Sequence, residues 1–218
     1  MAKKKIINKS TILQFFMEYV AEFKTKPLTI EDFSKHYNFD SKTFYIHFSS
    51  FTDLQKFIFK TILDNSIEVL KSSVEFETFD NRNKLISLYF TIFENLSLNR
   101  DYVAYTLDGL ENQLKALHIF SDFKNNFLAF INELGFENYV LNIDDFENIQ
   151  EKTIKQSAWL QFLFIIKFWL NDTSESFEKT DILIEKSINT SFDLLDHSFL
   201  KSAIDLGKFL YKEQIQSR

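Results

Sequence analysis

The chain has 218 residues, 45% of them hydrophobic, and a formal net charge of −6 at pH 7. Three glycines and one proline are too few for the many turns of a sheet protein this long, so an all-α fold is expected. The lack of cysteine excludes disulfides, thiolate catalysis and cysteine-based zinc sites, while 27 phenylalanines require large buried surfaces in cores, an interface or an apolar cavity.

Met1–Lys9 is a basic arm carrying Lys3, Lys4, Lys5 and Lys9. It lacks the apolar run and small-residue cleavage site of a signal peptide. Ser10–Phe23 reads as an amphipathic helix, with Ile12, Phe15, Phe16, Tyr19, Val20 and Phe23 on one face. After Pro27, Thr29 is placed to cap a short helix that buries Ile30, Phe33 and Tyr37, and Asp32 completes a near capping box. Asn38 tolerates the left-handed turn that must follow. Asp40 caps a second short helix, Ser41–Phe48, which buries Phe44 and Phe48 and shows Ser41, Lys42, Thr43, Tyr45 and His47. Ser50 and Asp53 signal a third start, with a long helix from Leu54 to about Phe76 whose inward candidates include Phe57, Ile58, Ile62 and Val69. Two short helices around a tight turn, the second with polar, basic and aromatic exposed positions, form a helix-turn-helix.

This stretch resembles the DNA-binding signature of the TetR family of bacterial repressors. The matching residues are Thr29, Ile30, Asp32 and Phe33, then Thr43, Phe44, Tyr45, His47 and Phe48, then Ser50, Asp53 and Leu54. Asn38 replaces the usual turn glycine, Lys42 a small residue, and Phe51 a lysine. The resemblance implies a DNA-binding domain over 1–54, the head, with 1–9 as its basic arm, and a helical effector-binding and dimerisation domain over 55–218, the body. Lys42 and Thr43 are then candidates for base edges in the major groove, with Ser41 on the same helix. Thr29, Tyr45, His47 and Lys9 are candidates for phosphates. Charge agrees with this division. Residues 1–63 hold 10 Lys and Arg against 6 Asp and Glu, whereas residues 64–218 hold 15 against 25.

The remaining elements are helical. Asn83–Leu98 has Leu85, Leu88, Ile92 and Leu96 on one face. Asp101–Leu117 is a helix or is broken near Gly109. Phe120–Leu134 presents Phe123, Phe127, Phe130, Ile131 and Leu134 and stops at Gly135, and Glu137–Asn142 connects onward. Asp144–Asn171 ends in WLQFLFIIKFWL, apolar almost all round, so it must be covered on more than one side. That apolar run spans 12 residues and holds Gln161 and Lys167, too short and too polar for a membrane helix. Ser174 caps Glu175–Ser198, with Phe177, Ile184, Ile188, Leu195 and Phe199 inward, and Leu200–Gln214 forms a last amphipathic piece.

No histidine pair has metal-ligand spacing, and no GxSxG, P-loop or GxGxxG occurs, so no cofactor, metal or enzyme activity is expected. Asp144, Asp145 and Glu147 complement a helix start. Large residues on the body helices are candidates for an apolar effector site: Tyr89, Phe93, Tyr102, Tyr105, Trp159, Phe162, Leu163, Ile166 and Trp169. The resemblance implies a cytoplasmic repressor that binds a palindromic double-stranded DNA operator. It implies a homodimer built from the two long C-terminal helices, and release by a small hydrophobic effector. The alternative is a hydrophobic-ligand or lipid-binding protein of the same fold that does not use DNA, a reading prompted by Phe51, the arginine-free head and the aromatic-rich body.

Overall fold

The computed structural model describes residues 7–107, 118–135, 147–196 and 206. The described residues are helical, without strands. The helices are α1 (Lys9–Phe23), α2 (Ile30–His36), α3 (Ser41–His47), α4 (Phe51–Lys71), α5 (Val74–Thr78), α6 (Asn81–Leu98), α7 (Arg100–Leu107), α8 (Ser121–Glu133), α9 (Glu147–Leu170) and α10 (Glu178–Asp196). They fall into two compact units, residues 1–72 with 91–127, and residues 73–90 with 128–218.

The first unit is built on aromatic rings. Phe16, Phe33 and Phe44 are fully buried. Phe33 meets Phe16 and Phe44 edge-on at 6.0 and 6.2 Å. Phe51, which stands where the resembling family has a lysine, points inward: its ring lies 5.2 Å from Phe16, 5.7 Å from Phe33 and 5.5 Å from Phe44. Edge-to-face pairs of this kind contribute about 0.5–1.5 kcal/mol each beyond the area they bury. Tyr102 of α7 joins the cluster at 6.1 Å from Phe16. Polar bonds tie α4 to its neighbours: Asn95 Nδ2 donates to Ser66 Oγ at 2.9 Å, and Asn126 Nδ2 to Asp64 Oδ1 at 2.6 Å.

In the second unit α9 packs on α10. Trp159, Phe162, Ile165, Ile166 and Trp169 of α9 are buried, as are Ile184, Ile188 and Phe192 of α10. Arg82 fastens the start of α6 to α10, bonding Asp193 at 2.7 Å with its guanidinium over the Phe192 ring. Between α9 and α10 the chain turns through Ser176 and Phe177, both at positive φ. Asp172 holds that turn. Its Oδ1 accepts from the Ser174 amide and hydroxyl, and its Oδ2 from the Thr180 amide and hydroxyl.

Several expectations need correction. α4 starts at Phe51, directly after its Ser50 cap, rather than at Leu54. It stops at Lys71 rather than Phe76, and the chain restarts as α5. Val69 near the end of α4 and Phe23 at the end of α1 are exposed rather than inward. The helical period marks a face but not how far its neighbours extend along it. Leu160, Phe164 and Phe168 of α9 are exposed. Gly135 does end its helix, at φ 64, a backbone region that costs glycine least. The break near Gly109, the connector 137–142, Asp144 and Asp145, Phe199 and, residue 206 apart, the helix 200–214 lie outside the described residues.

Candidate nucleic-acid interface

Local chemistry sets the α2–turn–α3 unit. Thr29 Oγ1 accepts from the Asp32 amide at 3.0 Å and donates to the Asp32 carboxylate at 2.7 Å, so cap and third residue hold each other. The turn follows at Asn38, φ 55, and the Phe39 amide donates to the Ser34 carbonyl at 2.9 Å. Asp40 Oδ1 then accepts from the Lys42 amide at 2.9 Å and starts α3. Ser50 Oγ accepts from the Asp53 amide at 3.2 Å and starts α4. Phe44 and Phe48 anchor α3 from below.

Anchored this way, α3 turns its other side outward. Lys42 and Tyr45 are exposed, and Ser41, Thr43 and His47 are half-buried on its flanks. The Tyr45 hydroxyl lies 3.5 Å from Glu31 Oε1 of α2. Thr29 is exposed at the start of α2. Lys9 is set differently: its ammonium sits over the Phe57 ring, 3.6 Å from the centroid. Ile46, absent from the sequence-based set, is 76% exposed on the same side as Lys42. A signal for it was present. Two residues from Phe44 is about 200° around a helix, so burying Phe44 turns Ile46 outward.

The effector candidates divide between the two units. Tyr89, Trp159 and Phe162 come together in the second, where Phe162 stacks on Trp159 at 5.5 Å and meets Tyr89 at 6.0 Å. Tyr89 is fully buried, its hydroxyl donates to the Ala158 carbonyl at 3.3 Å, and burial pushes its phenol well above the usual range. Ile166 and Trp169 are buried in that unit and Leu163 is half-buried. Phe93, Tyr102 and Tyr105 belong to the first unit. Burial raises the Tyr102 phenol too, while Thr106 and Gln55, facing it, act in the opposite direction. Yet among the described residues Tyr102 OH, Thr106 Oγ1 and Gln55 Nε2 close no hydrogen bond, although Gln55 Oε1 accepts from Lys26 Nζ at 2.9 Å. A groove of about 530 Å³ between α1 and the start of α7 is lined by Leu13, Met17 and Leu98, and Tyr102 is the effector candidate that reaches it.

Among the described residues no cluster of His, Asp or Glu could hold a metal, and no helix is long and apolar enough to cross a membrane. The regular elements among the described residues are all helices, with a capped two-helix unit followed by further helices. The family model for the Tetracyclin repressor-like, C-terminal domain matches residues 84–210, more than half the chain, so the protein belongs to the TetR family of regulators, which are not enzymes. No curated protein matches it. The family match covers residues 84–210, whereas the signature read from sequence lies in Thr29–Leu54. The two therefore point to the same family from separate stretches.

Proposed function

We propose that this TetR-family protein is a cytoplasmic transcriptional repressor that binds a palindromic DNA operator as a homodimer and leaves it when a small apolar effector binds. Residues 1–54 form the DNA-binding domain and residues 55–218 the effector and dimerisation domain. The observation that carries the reading is α3: anchored by Phe44 and Phe48, it leaves Lys42 and Tyr45 free to enter a groove, flanked by Thr43 and His47. Lys42 and Thr43 meet base edges and Ser41 supports them. Thr29, Tyr45, His47 and Lys9 hold phosphates. The inward ring of Phe51 weakens the alternative of a hydrophobe-binding protein without DNA, because that position serves the core of the head.

The dimer is supported by the stripe Leu160, Phe164 and Phe168, spaced four residues apart and exposed along α9. A second copy around a two-fold axis would cover it and set two α3 helices on two half-sites. For the effector, the first unit offers Tyr102 beside Gln55 and Thr106, whose buried polar atoms close no hydrogen bond among the described residues. The ligand acts through its differential affinity for the operator-bound and free states.

The test is fluorescence anisotropy with the DNA upstream of the protein's own gene, at two salt concentrations and with random competitor DNA. A competitor-resistant complex that weakens with salt is expected. Tyr45→Phe then weakens binding to every sequence alike, and Lys42→Ala changes which bases are preferred. Binding that any DNA erases equally overturns the reading in favour of the ligand-binding alternative.

A further inference from the structure

Single exposed apolar residues are ordinary on protein surfaces, and Leu28, Val74 and Leu98 are examples here. Ile46 differs in its position. α3 has seven residues, with Phe44 fully buried and Phe48 buried directly after it. At about 100° per residue, position 46 lies some 200° from each of them, at the middle of the side farthest from the core. The polar residues Ser41, Thr43 and His47 are half-buried on the flanks, while the branched alkyl group of Ile46 is 76% exposed. Lys42 is four residues earlier on the same face and also exposed. The outermost face of α3 therefore offers one ammonium and one branched hydrocarbon, separated by about 6 Å along the axis.

In the major groove those two groups have different counterparts. The ammonium suits the O6 and N7 acceptors of guanine. The one hydrocarbon group on an unmodified base edge is the 5-methyl of thymine, which cytosine lacks. We propose that Ile46 reads a thymine methyl in each half-site, within about two base pairs of the guanine edge that Lys42 meets. Two base pairs is the upper bound set by about 6 Å along the helix axis against about 3.4 Å between stacked pairs. This inference rests on the DNA-binding reading above. It assigns a base identity to a residue that the helix-turn-helix pattern leaves unspecified.

The test uses the full-length protein and an operator selected from random duplex DNA. The selected half-sites carry an invariant thymine. Each thymine of the operator is replaced in turn by deoxyuridine, which keeps the hydrogen-bonding edge and removes only the methyl. At the position read by Ile46, wild type loses about fourfold in affinity per half-site, the effect of one methyl buried from water. Ile46→Ala, at an exposed position where circular dichroism confirms an unchanged fold, binds thymine and deoxyuridine operators equally and still prefers the guanine. Ile46→Val keeps part of the discrimination. No invariant thymine, a wild type indifferent to deoxyuridine at every position, or an undiminished penalty in Ile46→Ala overturns the inference while leaving operator binding intact. Failure to select any duplex overturns the DNA reading itself, and the inference with it.

Discussion

Helices α3 and α9 are both rich in large apolar residues, and they leave them exposed in different ways. α3 sends Phe44 inward and shows Ile46 as its one exposed aliphatic residue, between the exposed Tyr45 and polar neighbours. α9 buries Trp159, Phe162, Ile165, Ile166 and Trp169, yet shows a stripe, with Leu160 63% and Phe164 58% exposed and Phe168 one turn further. One aliphatic group among donors and acceptors suits a base edge, where apolar and polar groups alternate over a few ångströms. A continuous stripe suits another protein surface, because contiguous apolar area is costly in water and rare on a monomer. Exposure therefore has to be read with its neighbours.

The largest expected effect lies on α9. Leu160→Asp combined with Phe164→Asp places two charges in the stripe and is expected to convert the proposed dimer into a monomer, seen by sedimentation velocity. A wild-type protein that already runs as a monomer removes this face from the dimer reading. Next is the core of the head. Phe44→Ala deletes a fully buried ring touching Phe33, Phe48 and Phe51 and costs about 3–5 kcal/mol in urea unfolding. A loss below about 1 kcal/mol would mean that the ring cluster re-forms without it.

The third effect depends on pH. Burial alone would raise the Asp172 pKa, but the hydrogen bonds from Thr180 and Ser174 outweigh it and bring it from 3.8 to about 2. A depressed carboxylate stabilises the fold above its unfolded value and stops doing so as pH falls through its folded one. Asp172→Ala should cost about 1–2 kcal/mol near pH 6, through the lost bonds. Its gap from wild type should close between about pH 4 and about pH 2 in thermal unfolding followed across pH. A gap that stays constant to pH 2 would show that the carboxylate charge is not involved. The smallest effect is at the head's first cap, where Thr29→Ala removes one bond to the Asp32 amide and costs about 1 kcal/mol. If calorimetry finds no change, water replaces the hydroxyl there.

Much of the head was legible in the sequence. Thr29, Asp40 and Ser50 cap the helices they were expected to cap, because a cap bonds an amide two or three residues away and needs no distant partner. The apolar faces of α6 and α8 were legible for a similar reason: Leu85, Leu88, Ile92, Leu96, Phe123 and Phe127 follow the helical period and are buried. Phe51 was not. A phenylalanine beside a cap carries no sign of whether it faces DNA or the core, and only the positions of Phe16, Phe33 and Phe44 decide it. Nor was the division of the effector candidates, since Tyr89 and Tyr102 look alike in sequence but lie in different compact units.

The sequence by itself determined the helical class, the capped two-helix turn and the basic charge of the head, since these depend on composition and on contacts within one or two helical turns. Tertiary structure alone decided which apolar residues stay outside. Ile46 and Leu160 are exposed while Phe51 is largely inward, because burial depends on which neighbour covers a face, and those neighbours lie far along the chain.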